Sequence, residues 1–171
     1  MVFYSSISTG WYLIEADEVD STNDEIKRIY KKNKSIPLVV IAKKQTHGRG
    51  RLKRHWHSLE GNLFFSLLLD FKYLSPEKIS YLVSVSLLTA IEKYVSRDIN
   101  ELECKWPNDL CYKGAKVSGI LMETISNGDL IIIGIGVNLV KTNIDHSIYP
   151  VGDLSLFAID PKKLMYIFCN E

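Results

Sequence analysis

The order of hydrophobic and polar residues predicts a chain in which short strands alternate with helices. Brief apolar runs bounded by polar residues or glycine predict strands at 11–16, 37–43, 61–71, 101–105, 116–125 and 130–137. Apolar residues at helical spacing predict one helix that opens at Ser21 and another from Pro76 to about Arg97. Asp160-Pro161 predicts the start of a third helix, which we expect to be cut short at Glu171.

Turn and capping signals refine this pattern. Ser75-Pro76-Glu77 combines a capping serine with proline at the first helical position, and Asn127-Gly128-Asp129 predicts a hairpin turn. The second helix should bury the apolar stripe formed by Ile79, Leu82, Val83, Leu87, Ala90, Ile91 and Tyr94. The order of elements predicts an α+β fold, with a mixed, mainly antiparallel sheet and helices packed on one face. Because the chain has 171 residues and shows neither repeats nor a linker, we expect a single domain over 1–171.

Composition and charge narrow the function classes. Hydrophobic residues make up 46% and charged residues 24%, which excludes disordered and coiled-coil chains. A net charge of +1 argues against nucleic acid or an anionic membrane as a partner. The three cysteines form no CxxC pair, which argues against a disulfide framework or a zinc ribbon. The N-terminus lacks a signal core, and apolar runs stay below the ~18 residues of a membrane span. We therefore expect a cytoplasmic protein.

The positive charge is concentrated in one glycine-containing loop. Arg49, Arg51 and Arg54 are three of the five arginines in the chain. Gly48 and Gly50 allow backbone N–H groups to approach a ligand, and guanidinium groups suit phosphate or carboxylate. The spacing matches neither a Walker loop nor a dinucleotide fingerprint. The loop predicts a local anion site, and a solvated basic loop is the alternative.

Three further motifs carry candidate chemistry. Residues 105–109, Lys-Trp-Pro-Asn-Asp, place a cation and an anion on stiff backbone, which suits an ion pair, a carboxylate for Mg²⁺ beside a nucleotide, or simply a turn. Strand alternation puts Lys116 and Ser118 on one face, where the lysine either meets a ligand or guards a sheet edge. Alternating Gly134 and Gly136 leave a slot for a ligand or for another backbone.

Together these motifs resemble the catalytic domain of biotin protein ligases. The matching segments are Ser21-Thr22-Asn23, Gln45 with Gly48-Arg49-Gly50-Arg51, Arg54 and Trp56, Gly61-Asn62-Leu63 before Ser66, Lys105 through Asp109, Lys116 with Gly119-Ile120-Leu121 and Glu123, and Gly134 through Asn138. They stand in the family's order within residues 12–140. The resemblance implies the class II synthetase-like fold shared with lipoate ligases. Neither the N-terminal winged helix of some members nor the usual C-terminal SH3-like domain is expected here.

The resemblance also implies a two-step reaction. Members join the carboxylate of biotin to the α-phosphate of ATP, forming biotinyl-5′-AMP and pyrophosphate. They then transfer biotin to a lysine of a biotin carboxyl carrier protein, or of the carrier domain of a biotin-dependent carboxylase. ATP and biotin are thus the implied substrates, with Mg²⁺, and a homodimer is the implied assembly. A biotin-binding relic with little turnover and a lipoate ligase are the alternatives.

Site roles follow from the resemblance, residue by residue. The implied biotin contacts are Ser21, Thr22, Asn23, Gln45, Gly48, Arg49, Arg51, Lys116, Gly119 and Leu121. The implied ATP and adenylate contacts are Arg49, Arg51, Arg54, Trp56, Asn108, Lys116 and Asn138. Lys116, Arg51 and Asp109 are the implied catalytic residues, and Asp109 is also the implied ligand of Mg²⁺.

Overall fold

The computed structural model describes residues 2–6, 10–70, 75–96, 99–125, 129–142 and 149–171. Within these ranges the strands are β1 Val2–Ser6, β2 Tyr12–Val19, β3 Leu38–Gln45, β4 Leu63–Asp70, β5 Leu102–Lys105, β6 Asp109–Tyr112, β7 Ala115–Ile125 and β8 Leu130–Val137. The α-helices are α1 Thr22–Asn33, α2 Pro76–Val95 and α3 Pro161–Phe168. The chain divides into two compact units, and β7 and β8 contribute residues to both.

The first unit comprises Met1–Glu60, Phe64–Leu74 and Leu121–Ile135. Its strands follow the order β1-β2-β3-β4, continued by the residues of β8 and β7 that belong to this unit. β1 pairs antiparallel with β2, β2 parallel with β3, and β3 antiparallel with β4. Helix α1 connects the two parallel strands, as such a crossover requires. Its core consists of Ile14, Ile26, Ile29, Leu38, Val40, Leu68, Leu130 and Ile132.

The sequence of α1 explains both its ends and its buried face. Asp24 and Glu25 lie in the first turn and Lys31 and Lys32 in the last, where each charge complements the helix dipole. Ser21 occupies the N-cap position, as predicted, but its hydroxyl makes no capping hydrogen bond. Thr22 and Asn23, in the first turn of the helix, are buried in the interior of this unit.

The second unit comprises Gly61–Leu63, Ser75–Ile120 and Gly136–Glu171. Its strands follow the order β8-β7-β6-β5, and β5–β6 and β6–β7 are antiparallel. Helix α2 packs against α3, β5 and β6. Its buried face includes Ser80 and Ser84, whereas Leu82 is 51% exposed. The prediction for Leu82 was wrong because the two serine hydroxyls bond to carbonyl oxygens of Pro107 and Ser80, which lets the polar side chains replace it inside.

The predicted α+β class with a mainly antiparallel sheet is confirmed. The predicted range of the last strand, 130–137, is that of β8, and α3 begins at Pro161 with Asp160 as its cap, accepting a hydrogen bond from the Lys163 N–H at 2.8 Å. β1 and β6 are strands that the apolar pattern did not predict. Asn127 and Gly128 of the predicted turn, and Arg97 at the predicted end of α2, lie outside the described residues. In the described parts of the chain, the helices are too short or too polar to cross a membrane.

Candidate functional site

In the first unit, the arginine-rich loop folds back on itself as a hairpin over residues 48–56. The Trp56 N–H donates to the Gly48 carbonyl at 2.9 Å, and the Gly50 N–H donates to the Arg54 carbonyl at 2.7 Å. A Cβ at Gly48 would lie 2.7 Å from the Trp56 carbonyl oxygen, whereas one at Gly50 would lie 3.7 Å from its nearest neighbour. Gly48 is therefore required for the close approach of the two arms of the hairpin.

The tip of this hairpin carries an unusual backbone. Leu52 and Lys53 have φ values of 56° and 58°, in the left-handed region that non-glycine residues rarely adopt. Arg51 and Arg54, on either side, are exposed, and Trp56 at the base is half-buried. The tip therefore presents two guanidinium groups at the surface of this unit, held on a strained turn.

Arg49 differs from the other arginines of the hairpin because its side chain is anchored. Its Nη2 donates to Asp24 Oδ1 at 2.9 Å, its Nη1 bonds to the second oxygen of the same carboxylate, and Glu123 Oε2 lies 3.7 Å from Nη2. The hydrogen bonds to Arg49 lower the pKa of Asp24, and those to Asp24 raise the pKa of Arg49. The hairpin is thus fastened to the first turn of α1.

The Ser21-Thr22-Asn23 motif is buried at the start of that helix. The backbone N–H and the hydroxyl of Thr22 both donate to Gln45 Oε1, at 2.9 Å and 3.1 Å. Asn23 Nδ2 donates to Glu123 Oε2 at 2.8 Å. Gly134 leaves room for the Asn23 amide, since a Cβ there would clash with it. The slot predicted at this glycine is therefore filled by a side chain of the chain itself.

Ser66 joins these side chains from strand β4. Its Oγ lies 2.7 Å from Thr22 Oγ1 and 2.6 Å from Asn23 Oδ1, and its single proton can bond to one of them at a time. Ser66 and Glu123 thus hold the predicted motif in place; the sequence analysis counted both among the matching segments but assigned neither a role. A serine within the apolar run 61–71 is the signal that could have pointed to Ser66.

In the second unit, two predicted catalytic residues meet. Lys116 Nζ lies 2.7 Å from Asp109 Oδ1, and the two side chains are 28% and 25% exposed. Gly119 stands opposite Asp109 in the β6–β7 pair. The ion pair of Asp109 thus involves Lys116, whereas Lys105 lies over the ring of Tyr149, 5.5 Å from its centroid. Residues 106–108 form the turn that the sequence allowed.

A bulge in β7 overturns the prediction that Lys116 and Ser118 share a face. Ser118 pairs with Leu110 and Lys116 with the adjacent Cys111, so Val117 is an extra residue in the register. Leu110 and Cys111 are neighbours in β6 and point to opposite faces, so their partners Ser118 and Lys116 do too. The Ser118 hydroxyl is buried and donates to the Gly136 carbonyl at 2.8 Å. The edge-guard interpretation of Lys116 is also wrong, because β7 lies between β6 and β8.

The predicted asparagines of this unit fasten its loops. Asn108 Nδ2 donates to the Ile120 carbonyl at 2.7 Å, and the Ile120 N–H returns a bond to the Asn108 carbonyl at 2.8 Å. Asn138 is buried, and its Nδ2 donates to the Gly152 carbonyl at 2.9 Å. Through their side-chain nitrogens, both asparagines thus hold backbone in place in the unit that contains the Lys116–Asp109 pair.

The predicted site residues fall into one group in each unit. The first unit holds Ser21, Thr22, Asn23, Gln45, Gly48, Arg49, Arg51, Arg54, Trp56 and Leu121. The second unit holds Asn108, Asp109, Lys116, Gly119 and Asn138. The first group supplies a hydrogen-bonding network with exposed guanidinium groups, and the second a half-buried ammonium group with a carboxylate partner. Both arrangements suit recognition of anionic or strongly polar ligands.

Comparison with known proteins decides the family. A model described as the Biotin/lipoate A/B protein ligase family matches residues 15–139, a range that includes both groups. The chain belongs to this family. The bifunctional ligase/repressor BirA of Bacillus spizizenii is 36% identical over 136 residues, and a biotin–[acetyl-CoA-carboxylase] ligase of Paracoccus denitrificans is 34% identical over 125 residues.

Both of these relatives are longer than this biotin/lipoate ligase family member, which spans about half of their length or less. The matches cover 76% and 70% of this chain but 41% and 51% of the two relatives. Among solved structures, a biotin protein ligase from Aquifex aeolicus in complex with biotin and ATP is similar, with 34% identity and a TM-score of 0.77. That similarity covers 92% of this chain and 67% of the other. The expected family and fold are therefore confirmed.

Proposed function

We propose that this chain activates biotin with ATP to biotinyl-5′-AMP and pyrophosphate, and then transfers biotin to a lysine of a carrier protein. The observation that carries the proposal is the anchoring of the arginine hairpin beside the Thr22–Gln45 network, which places the exposed Arg51 and Arg54 in the same unit as a buried polar network. Relatives named as biotin ligases support biotin as the substrate, as does the similar structure in complex with biotin and ATP.

The biotin side of the proposal consists of a rigid polar frame. Because Thr22 and Asn23 are hydrogen-bonded within the chain, we assign them the task of orienting Ser21 and Gln45 toward the ureido head. Gly48 and Arg49 contribute hairpin backbone to the same ligand. Gly119 and Leu121 contribute strand backbone. A frame whose polar groups are already satisfied loses little entropy when the ligand binds.

The adenylate side of the proposal depends on cations. When the biotin carboxylate attacks the α-phosphate, two anions repel each other and negative charge grows on the phosphoryl oxygens. Lys116 is the central cation in our proposal, and Arg51 and Arg54 are the phosphate contacts from the hairpin. Trp56, Asn108 and Asn138 complete the nucleotide side. Cations placed before the reaction stabilise this charge at little reorganisation cost.

Asp109 has two successive tasks in this proposal. Before substrates bind, it neutralises Lys116 at 2.7 Å. Once the ammonium group of Lys116 engages the biotin carboxylate and the α-phosphate, the carboxylate of Asp109 can accept a hydrogen bond from the incoming lysine amine and orient it. The acyl-adenylate is already activated, so positioning of the amine is the main requirement of the second step.

Mg²⁺ enters the proposal together with ATP as the substrate complex. Among the described residues there is no group of three or more histidine, cysteine or acidic side chains that could hold a metal ion. The ion would therefore be held mainly by phosphate oxygens, and Asp109 is the carboxylate that this chain would add. A biotin carboxyl carrier domain as acceptor and a homodimer as assembly complete the proposal.

The test is a two-step assay with the purified chain. Biotin and MgATP should release pyrophosphate, and a carrier domain added next should gain the mass of one biotin on its lysine. Biotin binding without pyrophosphate would instead identify a binding relic. Preferential consumption of lipoate in a competition between the two acids would identify a lipoate ligase. Light scattering of the same sample reports the oligomeric state.

A further inference from the structure

Four charged side chains gather beside the first turn of α1, all within the first unit. They are Asp24, Lys27, Arg49 and Glu123, whose side chains are 28–37% exposed. Lys27 Nζ lies 3.3 Å from Asp24 Oδ1 and 3.2 Å from Glu123 Oε2, so each carboxylate has two basic neighbours. The cluster is balanced, with two charges of each sign.

Asp24 makes the strongest contacts in this cluster. Both of its oxygens accept from the two terminal nitrogens of Arg49, which is the bidentate geometry of an arginine–carboxylate pair. Such a pair fixes the plane of the guanidinium group as well as its distance, which a lysine cannot do. Asp24 therefore determines the direction in which the Arg49 side chain leaves the hairpin.

The place of Arg49 in the hairpin makes this contact important. Arg49 stands between Gly48 and Gly50 and pairs with His55 across the two arms. At the base of the same hairpin, Gln45 Oε1 accepts from the Thr22 N–H. The hairpin is thus attached to α1 at two points, one through Gln45 and one through Asp24. The base is also held by the backbone N–H groups of Thr46 and His47, which donate to the Val19 and Asp20 carbonyls at 2.9 Å and 2.8 Å, so Asp24 supplies the contact to α1 beyond the base.

We propose that Asp24 is a positioning residue that holds the arginine hairpin on α1 through Arg49. This inference rests on the proposed function for its effect on catalysis but concerns a residue to which the family resemblance gave no role. In this assignment Asp24 acts through the guanidinium group of Arg49, and the exposed Arg51 and Arg54 are the guanidinium groups that meet phosphate. Loss of the pair lowers the fraction of chains with the hairpin in place, which raises the apparent KM for biotin and ATP.

A competing role for Asp24 predicts the opposite result. If Arg49 bound phosphate directly and Asp24 merely neutralised it beforehand, removal of the carboxylate would release Arg49 and tighten the binding of ATP. The two roles also differ in coupling. A positioning pair is lost as a whole when either partner changes, so the double variant should be no worse than the single variants.

The experiment compares Asp24→Asn, Arg49→Gln and the double variant with the parent chain. Asp24→Glu serves as the conservative rescue. Arg28→Gln is the matched control, because Arg28 lies on the same helix but outside the cluster, and forms an ion pair with Asp20, which precedes the helix, with bonds of 2.9 Å and 2.5 Å. The readouts are KM and kcat of pyrophosphate release, and the rate of tryptic cleavage after Arg51, Lys53 and Arg54 without substrates.

We expect Asp24→Asn and Arg49→Gln each to raise KM about tenfold with a smaller change in kcat, and to speed hairpin cleavage by a similar factor. The double variant should match the singles, Asp24→Glu should recover most of the loss, and Arg28→Gln should behave as the parent. Additive losses, or a lower KM for ATP in Asp24→Asn, would overturn the assignment. If the parent releases no pyrophosphate, the proposed function fails, and the cleavage rates alone still decide whether Asp24 holds the hairpin.

Discussion

Lys116 and Asp109 form an ion pair of 2.7 Å between neighbouring strands of the second unit. About a quarter of each side chain is exposed, although the Asp109 Oδ1 atom itself is buried. In the proposed mechanism, an arriving anion competes with Asp109 for an ammonium group that is already in position, and Asp109 neutralises Lys116 until the substrates bind.

Replacing Lys116 by alanine should abolish adenylate formation and leave the fold intact. The side chain contributes charge to the proposed transition state, and removal of such a group costs on the order of a hundredfold or more in rate. Because Asp109 Oδ1 is buried and loses its ionic partner, a moderate loss of stability should accompany the loss of activity without unfolding the chain. The measurement is pyrophosphate release with biotin and MgATP, alongside thermal unfolding. Lys163→Ala, on the exposed side of α3, is the control, and near-normal activity in Lys116→Ala would contradict the role.

Alanine at Gly48 and at Gly50 should have different effects on the hairpin. A Cβ at Gly48 would lie 2.7 Å from the Trp56 carbonyl oxygen and 2.9 Å from Ser58 Oγ, which forces the arms apart at a cost of about 1–3 kcal/mol. Gly50 has space, with φ −108° and ψ −173°, so alanine there should be neutral or slightly stabilising. Tryptic cleavage after Arg51 and Arg54 measures the effect. Equal cleavage rates in the two variants would show that the close approach at Gly48 does not hold the hairpin.

The three helices and six of the eight described strands could be predicted from the sequence, because apolar runs and capping residues are local signals; β1 and β6 could not. The strand faces on which Lys116 and Ser118 lie could not be predicted, because the bulge at Val117 inserts one residue without any change in the apolar pattern. Likewise, helical spacing alone places Leu82 inside, whereas hydrogen bonds available only in the folded chain favour Ser80 and Ser84.

The candidate site also has a part that could be predicted from the sequence and a part that could not. The motif residues could be found from the sequence, since arginines placed between glycines and a lysine beside Ser118 and Gly119 in a strand stand out as candidate chemistry. The contacts of Arg49 with Asp24 and Glu123 could not be predicted, because they form only through the packing of α1 beside the sheet of the first unit. An acidic residue in the first turn of a helix is typical in any case, so Asp24 gave no separate signal.

Replacing Ser66 by alanine should destabilise the chain and weaken biotin binding together. The hydroxyl is fully buried between Thr22 Oγ1 and Asn23 Oδ1, and its loss should cost about 1–3 kcal/mol. Ser84→Ala is the matched control, since that buried hydroxyl donates to a carbonyl of its own helix at 2.9 Å, so its loss should cost less and leave biotin affinity unchanged. Calorimetric titration with biotin and chemical unfolding measure both effects. Similar losses of biotin affinity in the two variants would contradict a special role for Ser66.

Acid should remove the stabilisation that Asp20 provides through Arg28. The hydrogen bonds from Arg28 lower the pKa of Asp20 from 3.8 to about 2 in the folded chain. A depressed pKa means that this stabilisation is present in full above pH 3.8 and is lost as the pH falls toward about 2. Because the Asp20 side chain is 42% exposed, solvent screening limits the contribution to about 1 kcal/mol or less. Urea unfolding of the parent and of Asp20→Asn should therefore differ near neutral pH and converge near pH 2, with Arg28→Gln following Asp20→Asn. A difference between parent and variant that stays constant down to pH 2 would show that the carboxylate of Asp20 is not the group that titrates.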